Sequence, residues 1–112
     1  MTAILKGGCL CGAIRYQIAE PLVDSFTYLQ GDPAVYQSSL QSQREFCRNC
    51  GTQLIFRHSH HPRTLDVTPA SLDDPSLVQP QYHIWHQSRI DWFEISDVLP
   101  RYRDAGPDDH DM

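Results

Sequence analysis

Apolar and polar residues alternate along this chain in short runs, and no stretch sustains the three-to-four-residue repeat of an amphipathic helix. Residues 13–18, Ala-Ile-Arg-Tyr-Gln-Ile, alternate with a period of two, as a half-buried strand does. Residues 26–29, Phe-Thr-Tyr-Leu, predict a second strand. Gly31, Asp32 and Pro33 predict a turn after it, and residues 34–37 a returning strand that completes a hairpin. β character recurs at residues 53–57, 64–68 and 82–85. Ser71 to Pro75 supplies Ser and Asp side chains able to cap a single helical turn. Eight prolines spread along the chain argue against long helices. The pattern predicts an all-β domain of mostly antiparallel strands over residues 1–103, with an acidic, disordered tail over 104–112 that contains Gly106 and Pro107.

Composition narrows the function classes. The chain has 112 residues, 40% of them hydrophobic and 21% charged, which suits one globular domain with a core that gains from outside help such as a metal. Net charge is -5, and the nine Lys and Arg are scattered from Lys6 to Arg103. Nucleic-acid binding needs a concentrated cationic face, so the chain is expected to bind none. The longest apolar run is far too short to span a bilayer, and the first residues lack the pattern of a secretory signal. The expectation is a cytoplasmic protein without membrane partners, in a compartment where cysteines serve more often as ligands or catalysts than as disulfides.

The four cysteines form two tight pairs, Cys9-Leu-Cys11 and Cys47-Arg-Asn-Cys50, each followed at once by a glycine, Gly12 or Gly51. Two sharp turns of this kind can each deliver two thiolates to one tetrahedral zinc. A redox pair at Cys47 and Cys50 is the rival reading, but such pairs open a helix beside a parallel sheet, and neither element is predicted. A disulfide framework is the other rival, and the expected compartment disfavours it. The residues favour one zinc held by Cys9, Cys11, Cys47 and Cys50, closed to further ligands and therefore structural.

Five segments carry a family resemblance. They are residues 7–16 (Gly-Gly-Cys-Leu-Cys-Gly-Ala-Ile-Arg-Tyr), 31–39, 44–54 (Arg-Glu-Phe-Cys-Arg-Asn-Cys-Gly-Thr-Gln-Leu), 72–75 and 83–92 (His-Ile-Trp-His-Gln-Ser-Arg-Ile-Asp-Trp). In this order they resemble the glutathione-dependent formaldehyde-activating enzymes, whose domain is shared with centromere protein V. The resemblance implies a β-tent of antiparallel sheets pinned by a structural zinc on the four cysteines. It also implies carbon–sulfur lyase chemistry on aldehyde–glutathione adducts. Members carry a further Cys-His-Cys-x-x-Cys segment that supplies a second, catalytic zinc. Here the chain runs from Ile18 to Phe26 with no cysteine between them, so that segment is deleted.

Two further groups are candidates for binding. His58, His60 and His61 cluster before Pro62, and with His83 and His86 they raise the question of a substitute metal site; an exposed polar loop is the favoured reading. Trp85, Ser88, Arg89 and Trp92 offer a wall and a carboxylate partner for a glutathione-like small molecule. The favoured reading nevertheless buries both tryptophans in the core and gives Arg89 a structural ion pair, since aromatics in small β domains usually serve packing. Two functions follow: a lyase joining an aldehyde to a glutathione thiol, or a zinc-pinned scaffold that binds a small molecule or protein without catalysis. The missing open metal position favours the scaffold.

Overall fold

Seven short strands in two antiparallel sheets organise the chain up to Leu77 in the computed structural model, which describes residues 4–107. The first sheet has the order β1 (Leu5–Gly8), β2 (Arg15–Ile18), β3 (Phe26–Gln30). The second has the order β4 (Ala34–Gln37), β5 (Ser42–Phe46), β6 (Gln53–His58), β7 (Asp66–Val67). Among the described residues helical structure is limited to three-residue 3-10 turns, at Val23–Ser25, Pro69–Ser71, Pro75–Leu77 and His86–Ser88. The all-β expectation holds. Asp74 caps the third of these turns by accepting the Ser76 amide at 3.1 Å, within the segment read as a capped turn.

Two strand expectations need correction. β3 and β4 are not hairpin partners: β3 pairs with β2 in one sheet and β4 with β5 in the other, so the Gly31 turn carries the chain between sheets. The true partner of β4, Ser-Gln-Arg-Glu-Phe, has no apolar alternation to announce it. Residues 82–85 do not form a strand either. Trp85 takes a left-handed conformation (φ 54°), which ends any extension there, and only an isolated bridge links His83 to Arg101.

The core of this first unit joins both sheets. Tyr16, Leu54 and Cys47 are fully buried, with Ile14, Ile18, Ile55, Leu65, Leu72 and Cys9 around them. Phe26 stacks between Tyr16 (5.3 Å between ring centres) and Tyr28 (4.8 Å, edge-on). The two buried polar residues of this core, Ser71 and Glu45, are both hydrogen-bonded. Ser71 Oγ donates to the Thr68 carbonyl at 2.8 Å, so the Tyr16 hydroxyl, 2.6 Å away, donates to Ser71. Glu45 on β5 is 5% exposed, and its carboxylate accepts from Arg57 Nε (2.6 Å), Gln43 Nε2 (3.2 Å) and the Tyr28 hydroxyl (2.8 Å). Tyr28 belongs to the other sheet, so this carboxylate ties the two sheets together. Burial and the neighbouring Glu45 charge both push the Tyr28 pKa upward.

The second unit begins at Val78. It is held by backbone bonds between the segment from His83 to Gln87 and the segment from Pro100 to Asp104, such as His83 N to Pro100 O and Tyr102 N to His83 O, both 2.8 Å. The Arg101 guanidinium donates to the carbonyls of Ile95, Asp97 and Leu99 and so fastens its own loop. The Asp97 carboxylate accepts the Leu99 amide at 3.0 Å and pairs with His83 Nε2 at 2.9 Å. Of the tail predicted to be disordered, Asp104 accepts the Trp85 amide and its side chain accepts the Gly106 amide, while residues 108–112 lie outside the described residues.

Candidate metal centre

Each cysteine pair sits in a turn at the end of a strand, and the two turns share one design. Cys9 and Cys11 follow β1; the Gly12 amide donates to the Cys9 carbonyl (3.1 Å) and the Cys9 amide to the Ile14 carbonyl (3.1 Å). Cys47 and Cys50 follow β5; the Gly51 amide donates to the Cys47 carbonyl (2.8 Å) and the Cys47 amide to the Thr52 carbonyl (3.0 Å). Gly12 and Gly51 have φ of 83° and 80°, the left-handed region that other residues enter at a cost. An added Cβ would meet nothing within 4 Å at either position, so the turn geometry alone explains the glycine in both knuckles. Thr52 joins the knuckles: its hydroxyl accepts the Leu10 amide at 3.0 Å and lies 3.1 Å from Cys50 Sγ.

The four sulfurs converge as predicted. All lie within 4.8 Å of one another, with Cys9 to Cys11 at 3.6 Å and Cys11 to Cys47 at 3.7 Å. A tetrahedron with metal–sulfur bonds of about 2.3 Å places its sulfurs about 3.8 Å apart, so the set fits a zinc ion. No pair is oxidised to a disulfide. Cys9 and Cys47 are buried and Cys11 and Cys50 exposed, which places the cluster at the rim of the core where the two sheets meet.

Backbone amides already favour thiolate. The Ile14 amide points at Cys9 Sγ (3.2 Å) and the Asn49 amide at Cys47 Sγ (3.4 Å). Hydrogen bonds from the Thr52 side chain, the Thr52 amide and the Cys11 amide draw the Cys50 pKa down to about 5. For Cys9, burial resists ionisation, but the Ile14 amide and the Cys11 and Cys47 thiols outweigh it and lower the pKa. Cys11 moves oppositely: the Ala13 amide draws it down, yet Cys9, burial, Cys47 and Cys50 push it up to about 11. Four thiols this close cannot all ionise unless a cation shares their charge.

The other predicted residues do not assemble a second such set. Among the described residues, the cysteines are the group of three or more His, Cys, Asp or Glu whose ligand atoms come close enough to share an ion. The His58 ring lies 5.1 Å from that of His60 and 5.2 Å from that of His61, and His58 Nδ1 accepts the His60 amide at 3.2 Å. Trp85, Ser88, Arg89 and Trp92 all belong to the second unit. Neither tryptophan is core: Trp85 is 51% and Trp92 78% exposed. Arg89 donates to the His86 carbonyl at 3.1 Å and closes no acidic ion pair among the described residues. Burial first, then Arg89, Arg101 and His83, lower the His86 pKa and keep that ring neutral. Sequence reasoning missed Thr52 and Glu45. Thr52 follows the second knuckle glycine and was open to suspicion, whereas nothing in the sequence marks Glu45 as buried.

Comparison with known proteins agrees with this architecture. A Rhodobacter sphaeroides protein solved by structural genomics shares the fold, with a TM-score of 0.55 and 20% identity over 67% of this chain and 91% of that one. No curated protein sequence matches the chain. The sequence profile of the glutathione-dependent formaldehyde-activating enzymes matches residues 21–88, which include the second knuckle. With more than half the chain matched, two antiparallel sheets and four convergent thiols, the protein belongs to the glutathione-dependent formaldehyde-activating enzyme family.

Proposed function

We propose that Cys9, Cys11, Cys47 and Cys50 hold one zinc ion as a closed structural centre. In this reading the chain is a zinc-pinned scaffold that binds a small glutathione-like molecule and lacks the metal-assisted carbon–sulfur chemistry of its family. One observation carries the reading: the four sulfurs that lie within 4.8 Å of one another are all the cysteines the chain possesses. Four thiolates fill a tetrahedral zinc and leave no position for water, thiol or aldehyde. No cysteine remains to build an open site. A reducing cytoplasm, which keeps such thiols available to metal, is the compartment that suits this centre.

Family membership supports a second reading, in which the chain still joins an aldehyde to a glutathione thiol. The two separate in a single experiment. Protein loaded with metal is assayed for zinc per chain and for acceleration of adduct formation between formaldehyde and glutathione. One zinc and no acceleration is the expected result. Acceleration by protein carrying a single zinc would overturn the scaffold reading.

A further inference from the structure

A groove in the first unit, apart from the cysteines, carries a row of polar side chains on the sheet face that sends Glu45 and Ile55 into the core. Gln37 on β4 pairs with Gln43 on β5, which pairs with Arg57 on β6. Residues directly opposite in a sheet share a face, so these three form a line across three strands. The neighbouring line on that face is Val35, Glu45 and Ile55, the last two buried. The turn at Leu40 and the loop at His58 and His61 enclose the polar line in a groove of about 260 Å³. No carboxylate lines it, although the chain carries a net charge of -5.

The hydrogen-bonding capacity left in this row is specific. Arg57 gives Nε to Glu45, and its two terminal nitrogens have no protein acceptor among the described residues. Gln43 donates to Glu45 and Gln37 donates to the Leu40 carbonyl, so neither side-chain oxygen has a protein donor among the described residues. The row therefore offers a two-pronged donor beside two acceptors. Because Glu45 already balances Arg57, the groove has little net charge with which to draw a bare anion.

We propose that this groove binds the end of a small molecule that carries an ammonium group beside a carboxylate. Arg57 takes the carboxylate through its terminal N–H groups, and the oxygens of Gln37 and Gln43 take the ammonium. A zwitterion leaves the balance between Arg57 and Glu45 undisturbed, whereas a bare anion or cation would upset it. The volume is below the roughly 300 Å³ at which whole-ligand pockets begin, so it suits an end group with the remainder of the molecule lying outside. The proposal rests on the reading that this chain binds a small molecule, and it assigns that molecule a recognised end.

The test titrates zinc-loaded, nitrogen-15-labelled protein with reduced glutathione, whose glutamyl end carries both groups. Two analogues follow, one N-acetylated and one with the glutamyl α-carboxylate converted to an amide. Glutathione should shift amide signals in residues 37–43 and 57–61, and each analogue should bind about tenfold more weakly or worse. Arg57→Lys keeps a positive charge against Glu45 but lacks the fork, and Gln43→Leu removes an acceptor; both should weaken glutathione to the level of the analogues. If either variant fails to fold, the analogue series on unaltered protein still decides. Equal binding of all three compounds, shifts confined to residues 86–92, or no shifts at millimolar concentrations would overturn the proposal. Zinc content and adduct formation measured on the same samples show whether the scaffold reading stands when the groove does not.

Discussion

The two knuckles and the segment from His83 to Trp92 were the chain's two strongest chemical signals, and the folded chain treats them differently. The cysteines converge on one point with spacings that suit a metal ion. The segment with both tryptophans leaves them exposed and spends Arg89 on a neighbouring carbonyl. The difference lies in what each pattern demands. A knuckle is defined within about five residues by two thiols, a left-handed glycine and closing amides, so its sequence specifies its geometry. A tryptophan or an arginine becomes a binding group only through surroundings contributed from elsewhere in the chain.

Removing a cysteine should have the largest effect. Cys47→Ser takes a ligand from the buried side of the cluster, and a hydroxyl is a far weaker zinc ligand than a thiolate. Structural zinc binding contributes on the order of 10 kcal/mol, comparable to the roughly 5–15 kcal/mol of a whole domain. The variant is expected to bind no zinc and to show no cooperative melting transition, as is wild-type protein stripped by a chelator. A zinc-free protein with an unchanged melting curve would remove the distinction between the two regions.

Next comes Glu45, where both sheets meet. Glu45→Ala removes a buried carboxylate and leaves the partly exposed Arg57 and the Tyr28 hydroxyl without their partner. Breaking a buried pair on one side costs about 3–5 kcal/mol. Urea denaturation of zinc-loaded protein should show that loss, while Tyr28→Phe, which removes one neutral donor to a charged acceptor, should cost about 1.5–3 kcal/mol. An unchanged midpoint for Glu45→Ala would mean that the carboxylate adds nothing to the joint between the sheets.

The same contrast explains how much was legible in advance. Alternation found the β class and most of β2, β3, β4 and β6, because each has at least one apolar face. It could not find β5, Ser-Gln-Arg-Glu-Phe, which is paired on both sides although four of its five residues are polar. Glu45 goes inward because Arg57 and Tyr28 meet it there, and both of those partners are distant in sequence. Likewise, propensity marks strands but not their neighbours, so β3 and β4 read as a hairpin until the sheets were seen to part at Gly31. Residues 82–85 read as extended because Tyr, Ile and Trp favour strands, and the left-handed Trp85 defeats that preference locally.

A smaller effect is expected from pH within the second unit. Burial alone would raise the Asp97 pKa, but the Leu99 amide, His83 and Arg101 outweigh it and hold it below the usual carboxylate range. A folded value below the unfolded one means that Asp97 stabilises this unit above about pH 4 and loses that contribution as pH falls through the folded value. Protection of the His83 and Leu99 amides, measured relative to their intrinsic exchange rates at each pH, should therefore fall on acidification below that range. Asp97→Asn should give faster exchange already at neutral pH, with no change in metal content. Equal exchange in the two proteins at pH 7 would show that the carboxylate holds nothing there.

The smallest stability change is expected where the sequence signal looked strongest. Trp92 is 78% exposed, and among the described residues the Arg89 side chain makes one bond, to a carbonyl three residues back. Exposed side chains away from caps and buried networks usually change stability by no more than about 0.5 kcal/mol, so Trp92→Ala and Arg89→Ala should melt with the parent. If the segment were core, truncating a buried tryptophan would instead cost about 3–5 kcal/mol. Melting therefore distinguishes packing from exposure without any knowledge of the ligand. A glutathione titration of the same variants then separates the two surfaces. Unchanged binding leaves recognition to the groove at Arg57, whereas loss of binding in a variant that melts normally would return recognition to the segment from His83 to Trp92.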